Sequence, residues 1–218
     1  MEGNNLMKLI RTTLPLVSAC LILGGTLAHA QSGPDVYFGV GTMTDSSSGT
    51  PIDTFSTGNP FTSPKLGGAF GKAGADWMIT PYLGIGGEAD FRFSQGSYAG
   101  LTYRPTFYDF NAIFAPTAHR FKRVVPELQA GLGGVNLRFY SPSTTYCDAF
   151  AGCSSSNYSV ESSNHLQVHL AGDIRFYATR HLFIQPQVDA HYVNNFFQFG
   201  NNWVPEYSAS VGWSFGER

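Results

Sequence analysis

The feature that most constrains this chain is an alternation of apolar and polar residues at period two, repeated in eight segments. In the clearest segment, Ile85 and Phe91 share one parity while Glu88 and Arg92 share the other. Successive side chains of a β-strand point to opposite faces, so the pattern predicts strands with one apolar and one polar face. The segments fall at roughly 35–44, 66–79, 83–93, 108–114, 124–139, 166–177, 184–192 and 207–215.

The amino-acid composition excludes several other classes of protein. Charged residues make up 13% of the 218 residues and hydrophobic residues 43%, whereas soluble domains carry about 25% charged residues. The hydrophobic content excludes a disordered chain. Abundant glycine and aromatic residues, without any Ala/Glu/Lys/Leu-rich stretch, disfavour a helical bundle. A formal net charge of −2 gives no reason to expect nucleic acid as a partner.

The connections between these segments alternate between long and short. The long ones lie near 45–63, 94–104, 141–163 and 194–203, and the short ones near 80–81, 118–123 and 178–181. Long loops are therefore expected at one rim of the sheet and tight turns at the other, and an even number of strands returns both termini to the tight-turn rim. Alternation, strand length and loop asymmetry together are typical of a transmembrane β-barrel.

The sequence therefore predicts an all-β fold, an eight-stranded antiparallel up-and-down transmembrane β-barrel. Closure is required because every backbone N–H and C=O must be paired in hydrocarbon. The aromatic residues expected in interfacial girdles are Tyr37, Trp77, Tyr82, Tyr103, Tyr108, Tyr192, Trp203 and Trp213. The alternative is a soluble periplasmic barrel, in which the same alternation would be turned inside out. Its water-facing wall would be unusually poor in charge, which favours the membrane form.

The N-terminal region has the pattern of an export signal. Two basic residues precede an apolar run at 14–27, and an Ala-His-Ala cleavage site ends at Ala30. We expect residues 1–30 to be a signal peptide and residues 31–218 to be the barrel domain. Cys20 follows a Val-Ser-Ala stretch that looks like a lipoprotein box, which leaves a lipid-anchored protein as the alternative.

Two cysteines remain in the expected mature chain, Cys147 and Cys153. Exported proteins enter an oxidising compartment, so the pair is expected to form a disulfide that closes a small loop. A metal-binding or redox pair is the alternative. The flanking serines supply neither further ligands nor activation of a thiolate, which favours the disulfide.

The expected mature chain resembles the small OmpA-like, opacity-type outer-membrane β-barrel family of Gram-negative bacteria. The resemblance rests on the cleavable signal, the eight segments, the alternating loop lengths and the closing segment 207–215. Ser208, Trp213 and Phe215 match the family's C-terminal insertion signal, whereas Ser210 stands where a glycine is expected and three residues follow the last aromatic. The resemblance implies the outer membrane as the location, and periplasmic chaperones and the outer-membrane assembly machinery as partners during biogenesis.

The polar parity of the segments would line the barrel interior. Its ionisable members are Lys72, Asp76, Glu88, Asp90, Arg92, Asp109, Glu127, His169, Asp173, Arg175, Asp189 and His191. An eight-stranded lumen is only wide enough for side chains, so these residues are expected to form a paired, hydrogen-bonded plug. A narrow passive channel for small solutes or ions is the leading alternative, since wide aqueous pores appear at about 16 strands.

An enzyme that modifies lipid A is a further alternative. Asp189 and His191 share a face, and Ser208 or Ser210 on the adjoining strand would complete a nucleophile, base and orienting acid. The His-x-Ser pair typical of the lipid A deacylase barrels is absent. We therefore expect no catalytic, cofactor or metal site.

These patterns favour a non-catalytic outer-membrane protein with a structural or surface-interaction role. Its outward residues would contact outer-membrane lipids and lipopolysaccharide. Its long loops would be the place to meet an extracellular ligand, because loops on a rigid scaffold commonly carry recognition.

Overall fold

The computed structural model describes residues 33–53, 56–117, 123–141, 144–148, 152–156 and 158–216. The expected signal peptide, Cys20 and most of the basic turn near 118–123 lie outside the described residues. Cleavage of the signal peptide and lipidation of Cys20 therefore stay predictions. Among the helices of the described chain, none has the length and apolar character needed to cross a membrane.

Thirteen strands and one short 3-10 helix make up the described fold. The strands are β1 (Asp35–Met43), β2 (Pro51–Ile52), β3 (Phe61–Thr62), β4 (Ala69–Met78), β5 (Leu83–Arg92), β6 (Gly96–Tyr98), β7 (Leu101–Phe114), β8 (Val124–Tyr140), β9 (Thr144–Asp148), β10 (Gly152–Ser156), β11 (Ser159–Tyr177), β12 (Leu182–Val193) and β13 (Trp203–Ser214). The 3-10 helix spans Phe197–Phe199. Eight long strands, β1, β4, β5, β7, β8, β11, β12 and β13, form the wall, and the five short strands lie in the connections.

The eight long strands close into one barrel. They pair antiparallel in the order β5-β4-β1-β13-β12-β11-β8-β7, and β5 pairs with β7 to complete the ring. The seam between the first and last strands runs from Asp35 opposite Ser214 to Met43 opposite Glu206. This arrangement confirms the predicted eight-stranded antiparallel up-and-down barrel. Every wall strand has two partners, so the described barrel leaves no sheet edge to face lipid.

The apolar face of the wall points outward. Phe38, Phe110 and Leu166 are 69%, 76% and 64% exposed, whereas Glu88 and Arg175 inside the barrel are 4% and 0% exposed. A soluble barrel would show the opposite arrangement, with the charged parity facing water. Outward apolar side chains contact lipid in a membrane barrel. The fold is therefore that of a transmembrane barrel, and the inside-out alternative is wrong.

Several strands extend beyond the predicted segments at the rim that carries the long loops. β7 begins at Leu101 and β11 at Ser159, so parts of two connections expected to be loops are strand. In the added part of β7, Tyr103 and Phe107 face inward while Arg104 faces outward. In this stretch the apolar residues face the lumen and the charged residue faces outward, which is the reverse of the arrangement in the rest of the wall. A search for one continuous alternation misses such a stretch, although the backbone pairing continues through it.

Six of the eight aromatic residues predicted for the girdles are exposed on the outer wall: Trp77, Tyr82, Tyr108, Tyr192, Trp203 and Trp213. The prediction was wrong for Tyr37 and Tyr103, which are fully buried inside the barrel. The Tyr37 hydroxyl donates to Glu88 Oε2 at 3.1 Å, and the Tyr103 hydroxyl donates to the Lys65 carbonyl at 2.6 Å. A tyrosine suits either place because its hydroxyl can bond inside the lumen, so only the parity of its strand distinguishes the two.

Two small hairpins lie in the connections at the loop rim. β2 pairs with β3 in the first long connection, near 45–63, and β9 pairs with β10 in the third long connection, near 141–163, which is called the third connection below. Cys147 and Cys153 lie opposite each other in the β9–β10 hairpin and form a disulfide, as the sequence predicted. The β8–β11 pair that carries this hairpin has strands of 17 and 19 residues.

Candidate functional site

The barrel interior is divided into three layers. A charged layer occupies the middle, and an apolar cluster lies at each end. The cluster at the loop rim, the loop-side cap, consists of Met43, Leu66, Phe70, Tyr98, Tyr103, Phe107, Val135, Leu137, Phe139, Val193, Phe196, Phe199 and Val204. The cluster at the turn rim, the turn-side cap, consists of Tyr37, Met78, Ile113, Ala115, Val125, Tyr177 and Phe183. Packed side chains thus separate the charged layer from water at both ends.

Lys72 is the cation at the centre of the charged layer. Its Nζ lies 3.2 Å from carboxylate oxygens of Glu88 and Asp189, 3.3 Å from Glu206 and 3.7 Å from Asp90. All five side chains are fully buried. Four carboxylates surround one ammonium, and a buried charge without compensation costs several kcal/mol. This cluster is therefore sensitive to the loss of its lysine.

Two histidines stack beside the Lys72 cluster. The ring centroids of His169 and His191 lie 4.8 Å apart with an interplanar angle of 21°. His169 Nε2 lies 2.8 Å from Asp189 Oδ1, and its Nδ1 lies 2.9 Å from Asn111 Oδ1. His191 Nε2 lies 3.3 Å from Glu206 Oε2. Oxygen acceptors on three different strands therefore fix the orientation of the two rings.

Arg175 organises a second cluster closer to the turn rim. Its Nη1 donates to Asp35 at 2.7 Å, and its Nη2 donates to Asp76 and lies 3.2 Å from Glu127. The guanidinium also lies over the Phe183 ring, 5.0 Å from the centroid. A planar guanidinium bonds to several carboxylates at once because its donors form a rigid fork. The cluster ties β1, β4, β8 and β11 together.

All twelve ionisable side chains predicted for the lumen are buried in the structure. Most of them belong to the Lys72, histidine or Arg175 clusters, and Asp173 accepts a hydrogen bond from Gln129 at 2.8 Å. Arg92 lies apart from the others at the loop rim. Its Nη2 donates to the Gly67 carbonyl at 2.6 Å, and its Nη1 donates to the Tyr103 hydroxyl at 3.2 Å.

Sequence reasoning missed several members of these clusters. Asp35 begins the first predicted segment and Glu206 directly precedes the last, so both carry the inward parity at a segment end. Continuing the alternation one residue beyond the start of the last segment would have placed Glu206 on the inward face. The predicted set named only ionisable side chains, so it left out neutral partners: Gln187 Nε2 donates to Asp189 at 2.6 Å and to Glu88 at 3.1 Å. The two apolar caps were not predicted, because apolar residues on the inward parity look like breaks in the pattern.

The lumen holds more carboxylates than cations. The barrel strands bury nine carboxylates: Asp35, Asp76, Glu88, Asp90, Asp109, Glu127, Asp173, Asp189 and Glu206. They bury three permanently cationic side chains, Lys72, Arg92 and Arg175. An enclosed space with this balance attracts cations in preference to anions.

The histidines also belong to two groups with the spacing of metal ligands. Asp109, His169 and His191 offer ligand atoms within 4.8 Å of one another, and so do Glu88, His169 and Asp189. Imidazole and carboxylate ligands suit zinc and related transition metals. Both ring nitrogens of His169 already contact oxygen acceptors, so a metal ion would have to replace those contacts.

The residues considered for a lipid-modifying site do not assemble into one. Asp189 Oδ1 lies 2.8 Å from Nε2 of His169, the other histidine of the stacked pair, and no hydrogen bond joins Asp189 to His191 in the described chain. The Oγ atoms of Ser208 and Ser210 have no hydrogen-bond partner in the described part of the chain. A nucleophile needs a base within hydrogen-bond reach and a group that orients the base. Neither serine meets that condition in this arrangement.

A serine and a histidine do meet at the loop rim. His165 Nε2 lies 3.1 Å from Ser163 Oγ on β11, and Gln198 Nε2 lies 3.5 Å from the same Oγ. The serine precedes the histidine by two residues, which reverses the His-x-Ser order, and sequence reasoning did not single it out. A histidine against a hydroxyl is the minimum for activating a nucleophile. The same contact also holds two inward side chains of one strand in place.

Comparison with known proteins places the fold. No protein-family model and no curated protein sequence matches the chain. Neisserial surface protein A has 16% identity to this chain, with 86% of this chain and 100% of that one covered and a TM-score of 0.53. Ail, the attachment invasion locus protein of Yersinia pestis, has 11% identity, coverages of 83% and 97%, and a TM-score of 0.46. The outer membrane protease OmpT of Escherichia coli has 11% identity, coverages of 88% and 100%, and a TM-score of 0.42.

These solved structures differ in role, and at such low identity their likeness concerns the fold alone. In this chain the fold is a closed ring of eight antiparallel strands with an outward apolar wall, and the likeness to Neisserial surface protein A supports that fold. The resemblance noted from the sequence is confirmed at this level: the chain has the fold of the small, eight-stranded OmpA-like outer-membrane β-barrels.

Proposed function

We propose that this protein is a non-catalytic outer-membrane β-barrel of a Gram-negative bacterium, with a structural or surface-interaction role. The barrel would be a rigid support for the connections at the loop rim, which face the cell exterior. The observation that carries the proposal is the closed lumen, in which the charged layer lies between the loop-side and turn-side caps. An interior that is sealed and internally bonded favours rigidity over transport.

The outer wall and the rims indicate the partners of such a protein. Outward apolar residues would contact outer-membrane lipids and lipopolysaccharide, and the disulfide-linked hairpin of the third connection would meet an extracellular ligand. Biogenesis would require the signal peptide, periplasmic chaperones and the outer-membrane assembly machinery. Ser208, Trp213 and Phe215 would supply the insertion signal, and the two aromatic residues are exposed on the closing strand and just after it, as recognition requires.

Heat-modifiable gel migration tests whether the folded barrel resides in the membrane. Folded barrels of this type resist SDS until boiled, so unboiled and boiled samples of the outer-membrane fraction should migrate differently. Amino-terminal sequencing of the same protein should begin at Gln31. Identical migration of the two samples, or release of the protein by carbonate without detergent, would contradict the proposal.

A narrow passive channel is the second candidate, and one observation favours it. The nine buried carboxylates exceed the three permanent cations, which would make any continuous path selective for cations. Single-channel recording in planar bilayers separates the candidates. A plugged barrel should give no reproducible openings, whereas a channel should give unitary openings whose reversal potential in a KCl gradient follows potassium.

A variant of the loop-side cap makes this recording more informative. Phe196 and Phe199 stack with their centroids 4.4 Å apart, and replacing both by alanine thins the cap. Openings that appear only in this double variant would support the cap as the barrier to ions. Openings of equal frequency in the unaltered protein would contradict the plugged lumen and favour the channel.

Incubation with labelled lipid A tests the enzyme alternative. We expect the lipid to stay intact by mass spectrometry, because the described serines near Asp189 and His191 lack a base. Turnover that disappears in Ser163→Ala or in His191→Ala would replace the non-catalytic role by a lipid-modifying one.

A further inference from the structure

Two arginines lie opposite each other on the outer wall. Arg104 of β7 pairs in register with Arg138 of β8, and both side chains are exposed on the outward face. Like charges directly opposite on neighbouring strands are destabilising. Such a pair therefore calls for an anion that both arginines can share.

The protein itself does not supply that anion among its described residues. None of the described ion pairs involves either arginine. Glu161 on the adjacent β11 is likewise absent from the described ion pairs. Arg138 Nε donates to Asn136 Oδ1 at 3.1 Å, and Arg104 Nη2 donates to the Phe93 carbonyl at 3.3 Å. The remaining guanidinium N–H groups have no partner within the described chain.

Hydrogen bonds hold this pair in a defined arrangement. Asn136 Nδ2 donates to Asn164 Oδ1 at 2.7 Å across the β8–β11 pair. Asn136 thus bonds to one neighbour through its amide nitrogen and to Arg138 through its oxygen. The arrangement orients the Arg138 guanidinium on the wall, which lowers the entropy lost when it binds a ligand.

The position of the pair relative to the apolar wall identifies the layer that it faces. On β11 the outward apolar residues run without a polar interruption from Leu166 to Phe176. The next outward positions toward the long loops, Asn164 and Ser162, are polar, and Val160 lies beyond them. Ten residue steps correspond to about 34 Å along a strand and to about 26 Å of height at a tilt near 40°. This matches the apolar band of about 25 Å that outer-membrane barrels present to lipid. Leu166 therefore marks the upper boundary of the band.

The arginines lie just above this boundary on the side of the long loops. Arg138 is in register with Ser162, four residues beyond Leu166 on β11. This corresponds to about 10 Å of height. The Arg138 side chain extends back toward the boundary, because its Nε bonds to Asn136, which lies two residues nearer to the apolar band. A membrane presents its phosphate-bearing headgroups in that layer. Guanidinium groups bind phosphate through paired, charge-assisted hydrogen bonds.

We propose that Arg104 and Arg138 together bind a phosphate group of lipid A, the phosphorylated lipid that forms the outer leaflet of the outer membrane. The inference rests on the proposed outer-membrane location and adds a defined site to it. The two guanidinium groups share one phosphate, which relieves their mutual repulsion. Binding at this site fixes the rotation and depth of the barrel relative to its neighbouring lipids.

The test measures lipid binding by native mass spectrometry of protein refolded in detergent. The probes are bisphosphorylated lipid A and the same lipid with its phosphates removed. Arg104→Gln/Arg138→Gln should bind the bisphosphorylated lipid about tenfold more weakly than the unaltered protein, as expected for the loss of one or two charge-assisted hydrogen bonds. Both the unaltered protein and the double variant should bind the dephosphorylated lipid more weakly than the unaltered protein binds the bisphosphorylated lipid.

A matched control lies on the opposite rim. Arg180 is an exposed arginine in the tight turn between β11 and β12, and Arg180→Gln should leave binding unchanged. The single variants Arg104→Gln and Arg138→Gln should each show a smaller loss than the double variant. Heat-modifiable migration of every variant verifies folding and tests the barrel separately from the lipid site.

Four results would overturn the site. They are unchanged lipid A binding by the double variant, an equal loss in Arg180→Gln, equal retention of the two lipids by the unaltered protein, or tighter binding of a sulfated oligosaccharide than of lipid A at the same arginines. A barrel that shows heat-modifiable migration in the outer-membrane fraction but gives one of these results would keep the proposed function and lose only the lipid site.

Discussion

Replacing Lys72 by methionine tests whether the charged layer stabilises the barrel. Methionine keeps a long unbranched side chain but removes the ammonium that contacts Glu88, Asp90, Asp189 and Glu206. Four buried carboxylates would then lack their common cation. Breaking a buried ion pair by removing one partner costs about 3–5 kcal/mol, a large part of the roughly 5–15 kcal/mol by which proteins are stable. We expect Lys72→Met to lower the free energy of unfolding by that amount.

The assay is urea unfolding of protein refolded in phospholipid vesicles, followed by tryptophan fluorescence and by heat-modifiable migration. The midpoint and slope of the transition give the free energy of unfolding. Lys65→Met is the matched control, because the Lys65 side chain is exposed in the first connection, and it should change stability by less than about 0.5 kcal/mol. A loss below about 1 kcal/mol in Lys72→Met would refute the reasoning, since the ammonium would then not be what compensates the carboxylates.

A second variant keeps the test decisive if Lys72→Met fails to fold. Asp90 is the cluster carboxylate farthest from the ammonium, at 3.7 Å, and neither of its oxygens has a hydrogen-bond partner among the described residues. Asp90→Asn removes a poorly compensated charge. The free energy of unfolding should therefore change by less than about 1 kcal/mol in either direction. The double variant with Lys72→Met should lose less stability than Lys72→Met alone, because both changes act on one charge balance. Strictly additive losses would contradict this coupling.

Three further substitutions test the wall, the hairpin and the packing of the lumen. Phe110→Arg places a cation on the lipid face and should lower the free energy of unfolding in vesicles by about 2–4 kcal/mol; no loss would mean that this position lies outside the bilayer. Serine at both Cys147 and Cys153 should speed proteolysis of the third connection without moving the urea midpoint of the barrel, and a moved midpoint would contradict the separation of hairpin and wall. A Cβ at Gly74 would collide with the Tyr37 ring, so Gly74→Val should cost about 1–3 kcal/mol through overpacking, and the double variant with Tyr37→Ala should lose less than the sum of the two single losses.

The fold could be predicted from the sequence because a membrane barrel imposes one rule on every strand. Phe91 and Arg92 are neighbours in the chain, and their opposite exposure follows from the pleat alone. The rule fails where the wall leaves the bilayer. Phe107 turns inward to join the loop-side cap, while the next outward position toward the rim is polar. At that height the wall no longer contacts lipid, so outward residues need not be apolar. The same alternation along one strand therefore places apolar residues outward within the bilayer and inward above it.

The pairing of charges inside the lumen could not be predicted to the same degree. Alternation shows which face a residue occupies, but the height at which it meets residues of other strands depends on register and on strand tilt. Arg175 and Asp35 are 140 residues apart in the chain and meet only because the barrel closes. Most of the inward charges were therefore accessible from the sequence, whereas their division between the Lys72 and Arg175 clusters was not.

The β8–β11 pair is the longest in the barrel, and its length affects what the outside world can touch. Seven residue steps separate Ser159 from Leu166, which corresponds to about 18 Å of height at a tilt near 40°. In the outer membrane, a tip at this height would stand clear of the innermost sugars that cover shorter loops. Large extracellular molecules would therefore reach the described residues of that tip, 144–148 and 152–156, before they reach the wall.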